Sequence, residues 1–304
     1  MDYHKIFLEV CQNIKTTANR GKVADYIPEL AKVNPDYFGV HLETVANKGF
    51  SFGDADKLFS IQSIAKVFSL TMAYHLVGEE LWQRVGVEPS GTSFNSIVQL
   101  EHDKGIPRNP MLNAGAMVVA DVLISNLENP KKDFLAFIKK ISGNEKVDYS
   151  EKIASSEKEK SYVNNALINV MKYFDNIEND IDEVMDFYFH LCSIEMDCQC
   201  LAKATLYLAN EGRLTSTNES ITTPSRSKRI NAIMQLCGFY DQAGDFSFRI
   251  GLPGKSGVGG GIVALLPGDY CIALWSPRLN KQGNSVKGIA FLEKFTTLTK
   301  HSIF

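Results

Sequence analysis

The stretch FSFRIGLPGKSGVGGGIVALLPGDYCIALWSP, residues 246–277, decides the fold. Its runs FSFRIGL, GIVALLP and YCIALWSP are short, apolar and separated by Gly-rich and Pro-Gly turns, which reads as three strands. A second strand signal lies near the other end of the chain. In YFGVHLETVANKGFSFGD (37–54) Val40, Leu42 and Val45 mark an alternating apolar pattern, and Asn47-Lys48-Gly49 supplies a hairpin turn. Between these ends the pattern is helical, over 57–86, 110–127, 131–142, 162–173, 179–192, 195–211 and 226–238. The N-terminal MDYHKIFLEVCQNIKTTANR is an amphipathic helix pattern, and the charged stretch 142–162 reads as a surface loop. Strands from both ends must pair across the helical block. The expected architecture is therefore α/β in the α+β sense: one antiparallel sheet flanked by helices, with a mostly helical subdomain inserted. It is a single domain over 1–304, with a sheet part at about 1–60 and 240–304 and a helical part at about 61–239.

Bulk properties narrow the classes of function. The chain has 304 residues, 44% of them hydrophobic, enough for a large core. A net charge of −3 offers no basic surface for nucleic acid or an anionic membrane. No run of roughly 18 apolar residues suggests a membrane span, and Asp2 with His4-Lys5 breaks any signal-peptide core. The cysteines at 11, 192, 198, 200, 237 and 271 are scattered as in a reduced cytoplasmic chain. Cys198-x-Cys200 is not a usual zinc spacing and no paired histidine follows, so no metal is expected.

A chemical signal lies in FSIQSIAKVFSL (59–70), a run read as a helix with apolar residues on every side. Ser63 and Lys66 share a face one turn apart. A serine hydroxyl needs a base within reach to become a nucleophile. Lysine serves only when neutral, and burial favours the neutral amine. Taken alone, Ser-x-x-Lys is a weak motif and favours the reading of a lysine that snorkels to solvent. It gains force from Lys255-Ser256-Gly257 beside a strand-like run, since the two motifs in this order form the serine β-lactamase and penicillin-binding-protein signature. A strand edge beside the nucleophile leaves backbone N–H groups for an oxyanion, here assigned to Ser63 and Val258. The third element of that signature, Ser-Asp-Asn, is absent between residues 66 and 255. GVGGGI lacks the spacing and following helix of a dinucleotide loop, so no cofactor is expected.

Several stretches in order resemble the serine-dependent glutaminases, a family with the β-lactamase-like fold. They are VADYIPELAKVNPDYFG (23–39), FSIQSIAKVFSL, VGVEPSGTSFNSIVQLE (85–101), PRNPMLNAGAM (107–117), DFYFHLCSIE (186–195), GFYDQAGDFSFRIGLPGKSGVGGGI (238–262) and WSPRLNKQGNSVKGI (275–289). The resemblance implies hydrolysis of L-glutamine to L-glutamate and ammonia, with Ser63 as nucleophile and Lys66 as its base. It implies substrate-binding roles for Tyr26, Asn113, Tyr188, Tyr240 and Val258, and, by the family's Glu-to-Asn spacing, for Glu157 and Asn164. Glu159 and Asn165 are the close rivals at those two places. It also implies a homo-oligomer, specifically a homotetramer. The residue types suit free glutamine. A carboxylate such as Glu157 pairs the α-ammonium, Asn113 and Asn164 donate amide N–H groups to the α-carboxylate, and Tyr240 relays a proton to departing ammonia. Lys255 is expected beside the pocket as support.

Overall fold

The computed structural model describes residues 3–91 and 96–304. Residues 92–95 of the VGVEPSGTSFNSIVQLE motif, and residues 1–2 of the N-terminal helix pattern, lie outside the described residues. The strands are β1 (Gly39–Thr44), β2 (Gly49–Gly53), β3 (Phe59–Ser60), β4 (Asp148–Tyr149), β5 (Ile194–Met196), β6 (Gly254–Ser256), β7 (Gly261–Leu266) and β8 (Tyr270–Trp275). The larger sheet runs β2-β1-β8-β7-β6 and is antiparallel throughout. Strands from the two chain ends do pair, with Gly39 opposite Trp275 and Thr44 opposite Tyr270. The β1–β2 hairpin turns at Asn47, whose φ of 57° is the left-handed conformation that asparagine tolerates. β6, which carries Lys255 and Ser256, is an edge strand of this sheet.

The α-helices, in chain order, are α1 (Tyr3–Lys15), α2 (Pro28–Ala31), α3 (Ala65–Val77), α4 (Leu81–Arg84), α5 (Ile97–His102), α6 (Asn113–Asn126), α7 (Pro130–Ser142), α8 (Glu151–Glu159), α9 (Tyr162–Tyr173), α10 (Ile181–Ser193), α11 (Cys198–Thr205), α12 (Pro224–Cys237), α13 (Ala243–Arg249) and α14 (Val286–Thr299). Alternation along the strands sorts the core into two faces. Val40, Leu42, Ile262, Ala264, Ile272 and Leu274 pack with Phe7 and Val10 of α1 and Phe291 and Phe295 of α14. The opposite face, with Val263, Leu265, Cys271, Ala273 and Trp275, joins the helical core through residues such as Phe68, Met117 and Leu201. α14 lies so close to the sheet that a Cβ at Gly288 would stand 2.4 Å from Leu274 Cδ1.

The structure corrects four expectations. FSFRIGL is not a strand: Phe246 to Arg249 belong to helix α13. Phe246 and Ile250 are buried four apart while Phe248 between them is 90% exposed, a helical spacing that strict alternation also contains. The 142–162 stretch is not merely a loop. It holds β4 and α8, whose Ile153, Ala154 and Ser156 are buried beneath a charged outer face. Phe59-Ser60 is a strand, so the helix of FSIQSIAKVFSL begins only after it. Finally, the sheet has a companion. β3, β5 and β4 form a second, three-stranded sheet, in which Phe59 pairs with Met196 and Asp148 with Glu195. It replaces the start of the helix expected over 195–211, which begins at Cys198 under an Asp197 cap.

Candidate active site

The second sheet delivers Ser63. From β3 the chain passes Ile61, whose N–H donates to Ile194 O at 2.9 Å, and enters a 3₁₀ turn over Gln62–Ile64 that runs into α3. Gln62 takes a φ of 50°, a left-handed conformation unusual for its type. Ser63 therefore sits at the head of α3 and Lys66 one turn further in, both buried. The loop after β6 presses against this turn. A Cβ at Gly257 would fall 2.5 Å from Ile61 O, and one at Gly259 2.6 Å from Ser60 O, so glycine is what permits the approach. That loop carries Val258, whose N–H finds no partner among the described residues.

Lys66 is 3% exposed. Its Nζ donates to Asn113 Oδ1 at 2.6 Å and to Met111 O at 3.2 Å. Burial pulls its pKa down to about 8, against the opposing influence of Cys192 and Glu157. A neutral amine has two N–H donors and one lone pair, so these two acceptors occupy its hydrogens and leave the lone pair for another group. Ser63 is not among the hydrogen-bond partners of Lys66 in this structure, and contacts of this kind commonly tighten only with substrate bound. Both acceptors come from the start of α6. Asn109 Oδ1 accepts from Met111 N–H and Leu112 N–H and fixes that start.

Around this centre the polar residues are chained together. Asn113 Nδ2 donates to Asn164 Oδ1 at 3.0 Å. Gln62 Nε2 donates to Glu157 Oε1 at 2.8 Å and to Ser60 Oγ at 2.9 Å, and Ser60 Oγ donates to Cys192 O at 2.9 Å. Burial pushes Glu157 up to about 7, while the Gln62 hydrogen bond and the Lys66 charge hold it down. Tyr240 is hydrogen bonded to Ser63, and its hydroxyl also reaches Ser256 O at 3.4 Å. Burial raises that phenol to about 12, so it is protonated at neutral pH. Tyr188 is buried, raised chiefly by desolvation and paired with the Cys192 thiol, and Lys66 Nζ lies 6.0 Å over its ring. Lys255 is wholly buried and donates to Ser256 O at 2.6 Å and Gly238 O at 3.1 Å. Desolvation, and then the nearby Lys66, hold it well below the ordinary lysine range. Its Nζ stands 4.5 Å over the Tyr240 ring.

The structure thus gathers Ser63, Lys66, Asn113, Glu157, Asn164, Tyr188 and Tyr240 into one connected cluster. Tyr26 stands at its rim, 57% exposed. It does not cap α2, where Ile27 holds the cap position. Of the rivals, Glu159 is exposed at the end of α8 and Asn165 donates to Ser161 Oγ, so neither joins the cluster. Asn113 is the first residue of α6 rather than its cap. Sequence reasoning missed Gln62. Its signal was a lone amide in an otherwise apolar run, directly before the serine.

Chemically, the cluster offers a hydroxyl, a weakly basic amine, an unpartnered N–H and a carboxylate with a near-neutral pKa. Among the described residues, no group of three or more His, Cys, Asp or Glu is arranged to hold a metal ion. No helix there is long and apolar enough to cross a membrane.

Comparison with known proteins places the whole chain among similar sequences and structures. A family model described as Glutaminase matches residues 21–304. The glutaminase of Saccharophagus degradans is 57% identical over 304 residues, covering 100% of this chain and 99% of its own. That of Christiangramia forsetii is 53% identical, with 100% of both chains covered. Among solved structures, a probable glutaminase from Bacillus subtilis complexed with 6-diazo-5-oxo-L-norleucine superposes with a TM-score of 0.90 at 28% identity, covering 100% of this chain and 98% of that one.

Proposed function

This chain belongs to the glutaminase family, and on that premise we propose how its residues carry out the reaction. The enzyme hydrolyses L-glutamine to L-glutamate and ammonia. Glutamine lies with its side-chain carbonyl oxygen toward the N–H groups of Ser63 and Val258. Neutral Lys66 accepts the Ser63 proton as Oγ attacks the amide carbon. The tetrahedral intermediate collapses to a glutamyl ester on Ser63. The amide nitrogen leaves as ammonia after receiving that proton from Lys66 or through Tyr240. A water deprotonated by the same pair then cleaves the ester and frees glutamate. Glu157 holds the α-ammonium, Asn113 and Asn164 donate to the α-carboxylate, and Tyr26 and Tyr188 complete the walls. Lys255 supports the strand edge from below. The observation that carries this reading is the buried Lys66, whose two hydrogen-bond acceptors satisfy a neutral amine and leave its lone pair available.

Brief exposure to glutamine or to 6-diazo-5-oxo-L-norleucine, followed by mass spectrometry, tests it. The expected product is a covalent adduct on the peptide bearing Ser63, and Ser63→Ala should show neither adduct nor ammonia release while staying folded. Turnover by Ser63→Ala at the wild-type rate would end the proposal. We further place the chain as a cytoplasmic homotetramer. Its cysteines are all free and buried thiols, which suits a reducing compartment. Light scattering on the purified protein checks the assembly, a monomer being the contrary result.

A further inference from the structure

Tyr240 occupies a conformation that needs outside help. Its φ of 52° is left-handed, which costs an aromatic residue strain that only its surroundings can hold. It opens a short 3₁₀ turn over Tyr240–Gln242, far too brief to fix itself. The restraint comes from Gln242 and from the loop before α14. Gln242 Oε1 accepts from Asn280 Nδ2 at 2.8 Å and from Asn284 Nδ2 at 2.9 Å. Asn284 is fully buried and its Nδ2 also donates to Phe239 O at 3.3 Å, on the other side of Tyr240. The loop is closed on itself by Asn280 N–H to Asn284 O at 2.8 Å and Asn284 N–H to Asn280 Oδ1 at 3.0 Å. Two asparagine amides thus converge on one oxygen and bracket the turn from both sides.

The same loop touches the site. Gly283, with a φ of 85°, is placed so that a Cβ there would lie 3.8 Å from the Tyr240 ring and 3.9 Å from Val258 Cγ1. One loop therefore backs both the phenol and the residue whose N–H faces the oxyanion. Gln242 is partly exposed and donates its Nε2 to Asp245 Oδ2 at 2.9 Å.

We propose that Gln242, with Asn280 and Asn284, is an amide clasp that positions the Tyr240 hydroxyl against Ser63, so that Gln242 is a positioning residue for glutamine hydrolysis. This rests on the proton role given to Tyr240 above. Misplacing a reacting group by about 1 Å can cost up to about 100-fold in rate. Losing the clasp, which loosens the phenol without removing it, should cost about 10-fold in kcat.

The test is a kinetic cycle with glutamine on the full chain. Gln242→Ala should lower kcat about 10-fold with KM nearly unchanged. Gln242→Glu keeps an oxygen acceptor for both asparagines; combined with Asp245→Asn, which removes the carboxylate that the second glutamate oxygen would otherwise meet, it should recover most of the loss. Asn280→Ala removes one leg of the clasp together with the loop closure at its Oδ1 and should give a loss of the same kind, which provides a second variant if the first folds poorly. In a Tyr240→Phe background neither change should slow the enzyme further. A slow Tyr240→Phe enzyme in which Gln242→Ala still multiplies the loss would overturn the clasp alone. A Tyr240→Phe enzyme with the wild-type kcat would remove the proton role of Tyr240, and the clasp with it. A merely structural Gln242 would lower thermal stability and the active fraction equally in both backgrounds, with no rescue by glutamate.

Discussion

In the mechanism proposed above, Lys66 must be uncharged to take a proton, and Glu157 must be charged to hold an ammonium. Both active forms are the deprotonated ones. Burial has placed Glu157 at about 7 and Lys66 at about 8, so kcat/KM should climb with pH through two overlapping steps in that range. The steps belong to the free enzyme and to the pair, since each group feels the other. A profile that falls between pH 6 and 9 would contradict the assignment. Glu157→Gln should erase the lower step and raise KM by about 30-fold or more, the equivalent of about 2 kcal/mol for losing one partner of a buried charge pair. Lys66 also carries a stability cost. Its folded pKa lies below the unfolded value of 10.5, so the native state is penalised while the amine is charged, and stability is regained as pH rises from about 8 toward 10.5. Lys66→Met should therefore be more stable than the parent at pH 7, by on the order of 3 kcal/mol relative to their difference above pH 10.5. Chemical denaturation at the two pH values measures this. At this scale the sequence was informative for chemistry-bearing pairs such as Ser63 and Lys66. It was blind to Gln62, whose importance lies in a backbone twist and two hydrogen bonds that no spacing rule encodes.

Helices and strands divide by whether one period dominates. β7 and β8, with apolar residues on both faces, were readable as buried strands, and α1, α7 and α9 followed from their 3.6-residue patterns, whereas α6 is buried on every side and carries no such stripe. α13 was not, because phenylalanines at 246 and 248 imitate alternation while only Phe246 and Ile250 are covered. The two rings separate the readings. Phe246→Ala should cost about 3–5 kcal/mol as a core truncation, whereas Phe248→Ser should change stability by less than about 0.5 kcal/mol. A strand facing the core with both rings would make the costs similar, and urea unfolding distinguishes the cases. α8 was hidden by its charge. Lysines and glutamates on its outer face mask the short buried stripe that carries Glu157 inward, so a helix that supplies a residue of the candidate site looked like solvent-facing filler. The two- and three-residue strands of the smaller sheet carry too few residues for any period to register.

The whole molecule joins what the chain separates. The pairing of early and late strands followed from reading strand signals at both ends. The division into a sheet part at about 1–60 and 240–304 and a helical part at about 61–239 remains our proposal for how one domain is organised. The face of the large sheet that bears Val263, Leu265 and Ala273 is continuous with the helical core. Unfolding either part would strip apolar surface from the other. Calorimetry should then record one cooperative transition, with equal calorimetric and van't Hoff enthalpies for a fixed assembly state. Two resolved transitions would show that the parts melt independently.

The seam between β1 and β8 also bears on synthesis. When the hairpin of residues 39–53 leaves the ribosome, the strand that will cover its inner edge has not been made. At about 5–20 residues per second, the interval before residue 270 is translated is on the order of 10–40 s. Throughout that time the β1 edge that pairs with β8 has open backbone groups, so a fragment stalled before its final strand should be a target for proteolysis rather than a partly working enzyme.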